Sequence, residues 1–294
     1  MRTELYPNLL IENINFMKNS TYILYPFLML ICLITSQLTV HAQNHQEEIY
    51  KIAENDTLKM DIYLSDENKK DKPAIVFFFG GGWVSGSWDQ FRPHAVHFSK
   101  KGFVTILVDY RVASRHGTSP FEAIEDAKSA MKYVKMNAER FGIDSAKVIA
   151  SGGSAGGHLA ASTATISGFE GDALKEISAK PVALLLFNPV IDNGPAGYGY
   201  DRLGERYKEV SPLHNLKEGV PPTLFFLGTK DRLIPVITGR YYQKAMEKLG
   251  SYCEFVLYDG QPHGFFNFKN REIYEQTILE TEAFLEKIGL FPKS

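Results

Sequence analysis

Six short, almost unbroken apolar runs recur along this chain, at residues 74–79, 103–108, 148–150, 182–187, 223–227 and 254–258. A strand with one wet face must alternate, whereas one covered on both faces need not. These runs therefore predict parallel strands sandwiched between helices. Residues 57–64 behave differently: Leu58, Met60, Ile62 and Leu64 alternate with Thr57, Lys59, Asp61 and Tyr63. That pattern predicts an antiparallel strand with one solvated face near the start of the sheet. Helical stripes separate the runs. Ile124, Ala127, Met131, Val134, Ala138 and Phe141 fall in steps of three and four, predicting one helix over 120–141 that Gly142 ends. Further helices are predicted over 157–165, 235–249 and 271–288. The fold class is α/β: a mostly parallel central sheet, an antiparallel N-terminal strand and helices on both faces. Residues 191–210, rich in Gly and Tyr, break the alternation and read as a short cap over the C-terminal sheet edge, where such folds bind ligands.

The first 42 residues do not belong to this pattern. An apolar run over 22–40 follows Lys18 and leads into Val40-His41-Ala42, a small-residue cleavage pattern. Residues 1–42 are expected to be a signal peptide, with Met17 a more usual start than Met1; an uncleaved anchor is the competing reading. Residues 43–294 then form a single domain, secreted or periplasmic, with no stable membrane association after cleavage. Cleavage would remove Cys32 and leave Cys253, so no intrachain disulfide is expected. Cys253 lies in an apolar stretch and reads as a buried small hydrophobe. The formal net charge is −2 and no Lys/Arg-rich run occurs, so no electrostatic pull toward nucleic acid is expected.

Gly152-Gly153-Ser154-Ala155-Gly156 fits G-x-S-x-G and stands between a predicted strand and a predicted helix. A turn that sharp forces its serine into a strained conformation, with the hydroxyl projecting at the sheet edge. Gly152 and Gly156 allow strand and helix to pass closely. The competing reading, a glycine-rich turn, does not explain the flanking strand and helix. A serine hydroxyl needs a base. His263, between Pro262 and Gly264 directly after the last predicted strand, is the best placed of the eight histidines. His94 and His97 read as residues of a surface helix, and His158 as a support for the site. Asp231, after the 223–227 strand, is the carboxylate expected to orient His263; its rival Asp259 reads as a turn residue in Asp-Gly. The order Ser154, Asp231, His263 places each residue after a different parallel strand. Gly80-Gly81-Gly82 follows the 74–79 strand, and the amides of Gly81, Gly82 and Ala155 are expected to form an oxyanion hole. The spacing matches neither G-x-G-x-x-G nor a P-loop.

With Phe79-Gly80-Gly81-Gly82-Trp83, Asp109-Tyr110-Arg111, Asp126 to Ala130, Gly152 to Gly157, Gly228 to Asp231 and His263-Gly264-Phe265-Phe266, the chain resembles the α/β-hydrolase esterases that include hormone-sensitive-lipase-like and acetyl-xylan or feruloyl esterases. The resemblance covers roughly residues 57–288. It implies an α/β-hydrolase fold, a serine carboxylic ester hydrolase, and no metal or organic cofactor. Phe79 departs from the family pattern, standing where its members usually carry a histidine that helps hold the loop. Arg111 is expected to be an ion-pair residue and Asp126 to decorate a helix. Trp83, Tyr198 and Tyr200 are candidates for stacking on sugar rings. The expectation is a secreted esterase that releases small acyl groups, acetyl foremost, from a small-molecule or polysaccharide ester. A general carboxylesterase or lipase, a serine peptidase or arylformamidase, and an inactive hydrolase-like binding module are the alternatives.

Overall fold

The computed structural model describes residues 45–53, 56–65, 70–170 and 176–292. The expected signal peptide and the alternative start at Met17 lie outside the described residues. Among the described residues no helix is long and apolar enough to cross a membrane. The strands are β1 (His45–Ala53), β2 (Asp56–Tyr63), β3 (Lys72–Phe78), β4 (Val104–Val108), β5 (Ile143–Gly153), β6 (Leu184–Phe187), β7 (Thr223–Gly228) and β8 (Cys253–Tyr258). They form one sheet in the order β1-β2-β4-β3-β5-β6-β7-β8. β2 pairs antiparallel with both β1 and β4, and the pairings from β4 through β8 are parallel. This is the expected mostly parallel sheet with an antiparallel start.

Alternate residues of each parallel strand feed two separate cores. Ala74, Val76 and Phe78 join one core, with Ile124, Leu159, Tyr242 and Met246. Ile75 and Phe77 join the other, with Ala95, Phe98, Ile278 and Phe284. The first core lies under helices α2 (Pro120–Met136), α3 (Ala155–Thr165) and α4 (Val236–Lys248), the second under α1 (Arg92–Lys100) and α5 (Arg271–Lys287). Full burial of one such Phe or Leu contributes roughly 2–3 kcal/mol, which is why neither face can be left wet.

Registers then decide what meets at the C-terminal edge. Phe78 pairs with Gly152, and Gly153 with Phe187. Phe187 pairs with Phe226, and Gly228 with Tyr258. The residues just beyond these pairs, including Gly80, Ser154, Asn188 and Asp231, therefore emerge side by side.

Four local expectations need correction. The helix over 120–141 is interrupted. Ser119 and Glu122 cap the start of α2 reciprocally, but Asn137 ends it by turning its side-chain amide back to Tyr133 O at 2.9 Å. A single turn, Ala138–Phe141, follows, and Gly142 ends it at φ 69°. α3 begins at Ala155, two residues early, so Ser154 abuts the helix directly. Asp126 does not decorate a surface. It is fully buried; its oxygens accept from Arg111 Nε and Nη2, both at 2.8 Å, and from Lys51 Nζ at 2.7 Å. Arg111 is thus the expected ion-pair residue, and removing one partner would strand a buried charge at a cost of about 3–5 kcal/mol. Cys253 is buried, as its apolar stretch implied.

The fourth correction is His94. The helix leaves His97 half-buried, paired with Glu282 at 2.7 Å, but buries His94 completely. Its ring packs among Phe77, Phe91, Phe187, Phe266 and Tyr274, and neither ring nitrogen has a hydrogen-bond partner. Burial, helped by the nearby His97, pushes its pKa down from 6.5 to about 3. The folded state therefore holds His94 neutral while the unfolded chain protonates it below its ordinary value. Stability from this site is whole above pH 6.5 and drains as pH falls toward 3. By about pH 5 the loss is of order 1–2 kcal/mol. His94→Phe is expected to lose about 3–6 °C less Tm than wild type between roughly pH 7 and pH 5. Parallel Tm–pH curves for the two proteins would refute this reading.

Candidate active site

Ser154 sits between β5 and α3 at φ 54°, ψ −120°, a region that costs a non-glycine residue about 1–3 kcal/mol. Close packing enforces it. A Cβ at Gly156 would lie 2.0 Å from Phe78 O, one at Gly152 2.3 Å from Gly156 O, and one at Gly153 2.3 Å from the Phe266 ring. Backbone bonds pin the turn: Ser154 N donates to Phe187 O at 2.9 Å, and Ser154 O accepts from His158 N at 3.0 Å and Val190 N at 3.1 Å.

The structure brings Ser154, Asp231 and His263 together. His263 Nε2 is 2.9 Å from Ser154 Oγ, and its Nδ1 is 2.7 Å from Asp231 Oδ2. The Asp231 side chain is fully buried, and its other oxygen accepts from Leu233 N at 2.8 Å and Ile234 N at 2.9 Å. A carboxylate fixed in this way keeps the imidazole proton on Nδ1, so the Nε2 lone pair faces the serine hydroxyl. Asp259 stays out of this chain; it accepts from Thr229 Oγ1 at 3.0 Å within its turn.

Sequence reasoning missed Asn188. It is fully buried, has φ 35°, and places Nδ2 3.3 Å from His263 Nε2 while Oδ1 accepts from Gly264 N at 3.0 Å. Its sequence signal is faint, an Asn-Pro pair closing an apolar run. Only the β5–β6 register sets it beside Ser154.

The glycine loop after β3 packs directly on this turn: a Cβ at Gly80 would lie 3.2 Å from Ser154 Cβ. Gly81, Gly82 and Trp83 follow with φ of 135°, 64° and 59°. Among the described residues the amides of Gly81, Gly82 and Ala155 have no hydrogen-bond partner. Such successive amides form an anion-binding concavity, here beside the N-terminus of α3.

Phe79 holds the loop by other means than a histidine. Its ring stacks on Tyr110 at 4.1 Å, Tyr110 OH donates to Phe79 O at 2.7 Å, and Gly80 N donates to Gln90 Oε1 at 2.6 Å. From the cap, Arg202 Nη1 donates to Gly82 O while its guanidinium lies 6.0 Å from the Trp83 ring and 5.5 Å from that of Tyr198.

Trp83 is only 2% exposed, with its edge against His158 at 4.9 Å, so its ring is closed to a sugar. The expectation of Trp83 as a stacking surface is corrected: the cap and α3 enclose it. Tyr198 is partly exposed, its hydroxyl close over Gly82. Tyr200 turns away and donates to Glu205 at 2.7 Å. His158 is buried, its Nε2 2.8 Å from Val210 O, and burial lowers its pKa to about 4. It ties the cap to α3 as a neutral ring. The cap itself is a run of single turns, Tyr200–Leu203, Gly204–Arg206 and Tyr207–Val210.

A hydroxyl on a strained turn, a base aimed at it, a buried carboxylate behind the base and free amides beside it suffice for acyl transfer through a tetrahedral intermediate.

Comparison with known proteins places this geometry among relatives. A family model described as BD-FAE matches residues 60–196. The chain is 28% identical over 224 residues to esterase LipC of Mycobacterium tuberculosis, a match covering 68% of this chain and 55% of that protein. It is 26% identical over 245 residues to an acetylxylan esterase of Xylanibacter ruminicola, covering 78% of this chain and 48% of the other. The chain thus spans about half the length of these curated relatives. Among solved structures, Thermogutta terrifontis esterase 2 phosphoramylated by tabun is 40% identical, with a TM-score of 0.82, covering 88% of this chain and all of that one. Propionate-bound and butyrate-bound forms of the same esterase superpose with TM-scores of 0.79 and 0.80.

Arg202 holds the Gly82 carbonyl from outside the loop, so its loss should free the peptide that follows the unpaired amides of Gly81 and Gly82. Arg202→Ala is expected to lower kcat on an activated acetate ester about tenfold and leave KM within about twofold. Steady-state kinetics would decide, and an unchanged kcat would show that Tyr110 and Gln90 hold the loop alone.

Proposed function

This chain belongs to the esterases of the α/β-hydrolase fold, and from that premise we propose that it is a secreted serine esterase that removes small acyl groups, acetyl foremost, from carbohydrate or related esters. The observation that carries the reading is the unbroken chain from Ser154 Oγ through His263 to the buried Asp231, with contacts of 2.9 and 2.7 Å. Ser154 Oγ attacks the ester carbonyl as His263 Nε2 takes its proton. The oxyanion lies toward the amides of Gly81, Gly82 and Ala155. His263 then gives the proton to the departing alkoxide, and water repeats the sequence on the acyl-enzyme.

The acyl preference is supported from two sides. The cap is a few single turns, too short to roof a long acyl chain. The 40%-identical esterase from Thermogutta terrifontis is known with propionate and with butyrate bound. The carbohydrate preference draws on the acetylxylan esterase relative and on the expected signal peptide over 1–42. Tyr198 remains the candidate to meet a substrate ring; Trp83 does not.

The test is acyl release from p-nitrophenyl esters of increasing chain length and from acetylated xylan, pectin and algal polysaccharides. Acetyl to butyryl esters are expected to be preferred, acetate is expected from at least one polysaccharide, and Ser154→Ala is expected to be inert. A preference for long acyl chains would reject the small-acyl reading in favour of a lipase. Failure of paraoxon to label Ser154 would favour a binding module. Intact mass of the exported protein tests the leader, since retention of residues 17–42 would reject cleavage.

A further inference from the structure

Asn188 is the second side chain, after Ser154, at the reacting nitrogen, His263 Nε2. It directly follows β6, is fully buried, and holds φ 35°, a conformation that asparagine tolerates better than most residues. Backbone bonds fix it there: Asn188 N donates to Phe226 O at 2.7 Å. Its carboxamide cannot turn over freely, because Gly264 N donates to Oδ1 at 3.0 Å. That bond identifies the other end, 3.3 Å from His263 Nε2, as the NH2 donor. Asp231 keeps the imidazole proton on Nδ1 at 2.7 Å, so Nε2 carries a lone pair.

Two donors, Ser154 Oγ–H at 2.9 Å and Asn188 Nδ2–H at 3.3 Å, therefore converge on one lone pair. We propose that Asn188 is a positioning residue for ester cleavage, steering the His263 ring through a hydrogen bond that exists only while Nε2 is unprotonated. This inference rests on the esterase reading. When Ser154 attacks, its O–H bond breaks and an Nε2–H bond forms. The lone pair is then used, and Asn188 Nδ2 becomes a donor facing a donor. The imidazolium is turned from Asn188 toward the oxygens that must receive its proton, first the leaving alkoxide and later Ser154 itself. The Oδ1 contact with Gly264 persists throughout, so the loop carrying His263 stays in place as the ring is re-aimed.

Asn188→Asp, assayed at alkaline pH where its carboxyl is ionised, replaces the donor with a charged acceptor. Aspartate matches asparagine in size, tolerates positive φ and still accepts from Gly264 N, but presents an oxygen to Nε2. The expected result is a fall in kcat of about tenfold to a hundredfold with KM within about twofold, at a Tm lowered by the buried charge. A wild-type kcat, or a loss confined to KM, would overturn the proposal. A second measurement does not depend on turnover or on that variant folding. In 15N-labelled Ser154→Ala protein, Asn188 is the remaining donor to Nε2. Adding Asn188→Gly, which relieves the backbone strain, is expected to move the His263 Nε2 resonance downfield to that of a free lone pair. An unmoved resonance would overturn the proposal. A wild-type enzyme inert on every ester would instead reject the esterase reading, and the resonance would still decide whether the bond to Asn188 exists.

Discussion

The backbone of Ser154 is the constraint to which the other parts of the site answer. A residue at φ 54° persists only if its surroundings over-determine it. Here they do so from three sides: Phe78 O presses on Gly156, the Phe266 ring on Gly153, and Phe187 O takes the Ser154 amide. Each restraint comes from a segment that also supplies a functional group. Phe78 leads into the oxyanion loop, Phe187 precedes Asn188, and Phe266 lies three residues after His263. Forcing the serine into its turn and assembling the groups around it are thus one packing event.

That economy explains why the reactive part of the fold was largely legible in the sequence. Unbroken apolar runs marked the parallel strands, and parallel strands bring their C-terminal ends to one edge whatever the intervening chain does. The G-x-S-x-G turn, an aspartate after β7 and a histidine after β8 then had to converge. Asp259 and Asp231 were separable because Asp259 precedes a glycine in an Asp-Gly turn, whereas Asp231 closes the turn that follows β7.

What escaped was set by pairings across the chain. β1 carries Gln, Glu and Lys among its apolar residues because it is an edge strand, and charges on an edge deter further pairing. No simple alternation marks it. Asp126 sits on a helical face whose neighbours are apolar, and nothing local shows that Arg111 and Lys51 arrive to neutralise it. His94 lies on the same helical stripe as Ala95 and Phe98, and only a cluster of rings drawn from β3, β6 and α5 makes that stripe a buried one. Asn188 is a matter of register: shifted by one residue, its side chain would leave His263 altogether.

The oxyanion loop shows how such cross-chain pairing substitutes for a motif residue. Acyl transfer needs amides at fixed positions, which is a demand on backbone geometry and not on the identity of residue 79. Phe79 gives up a polar side chain yet keeps its carbonyl, which Tyr110 holds, and its ring, which Tyr110 stacks upon. Gln90 holds the next amide, and Arg202 reaches in from the cap to the carbonyl of Gly82. The consequence is a coupling. The cap packs against the glycine loop, where Arg202 and Tyr198 lean on Gly82 and Trp83. A cap altered at Arg202 or Tyr198 would also shift the glycine loop beside Ser154, so the shape of the cap and the geometry of the site are coupled in this scaffold.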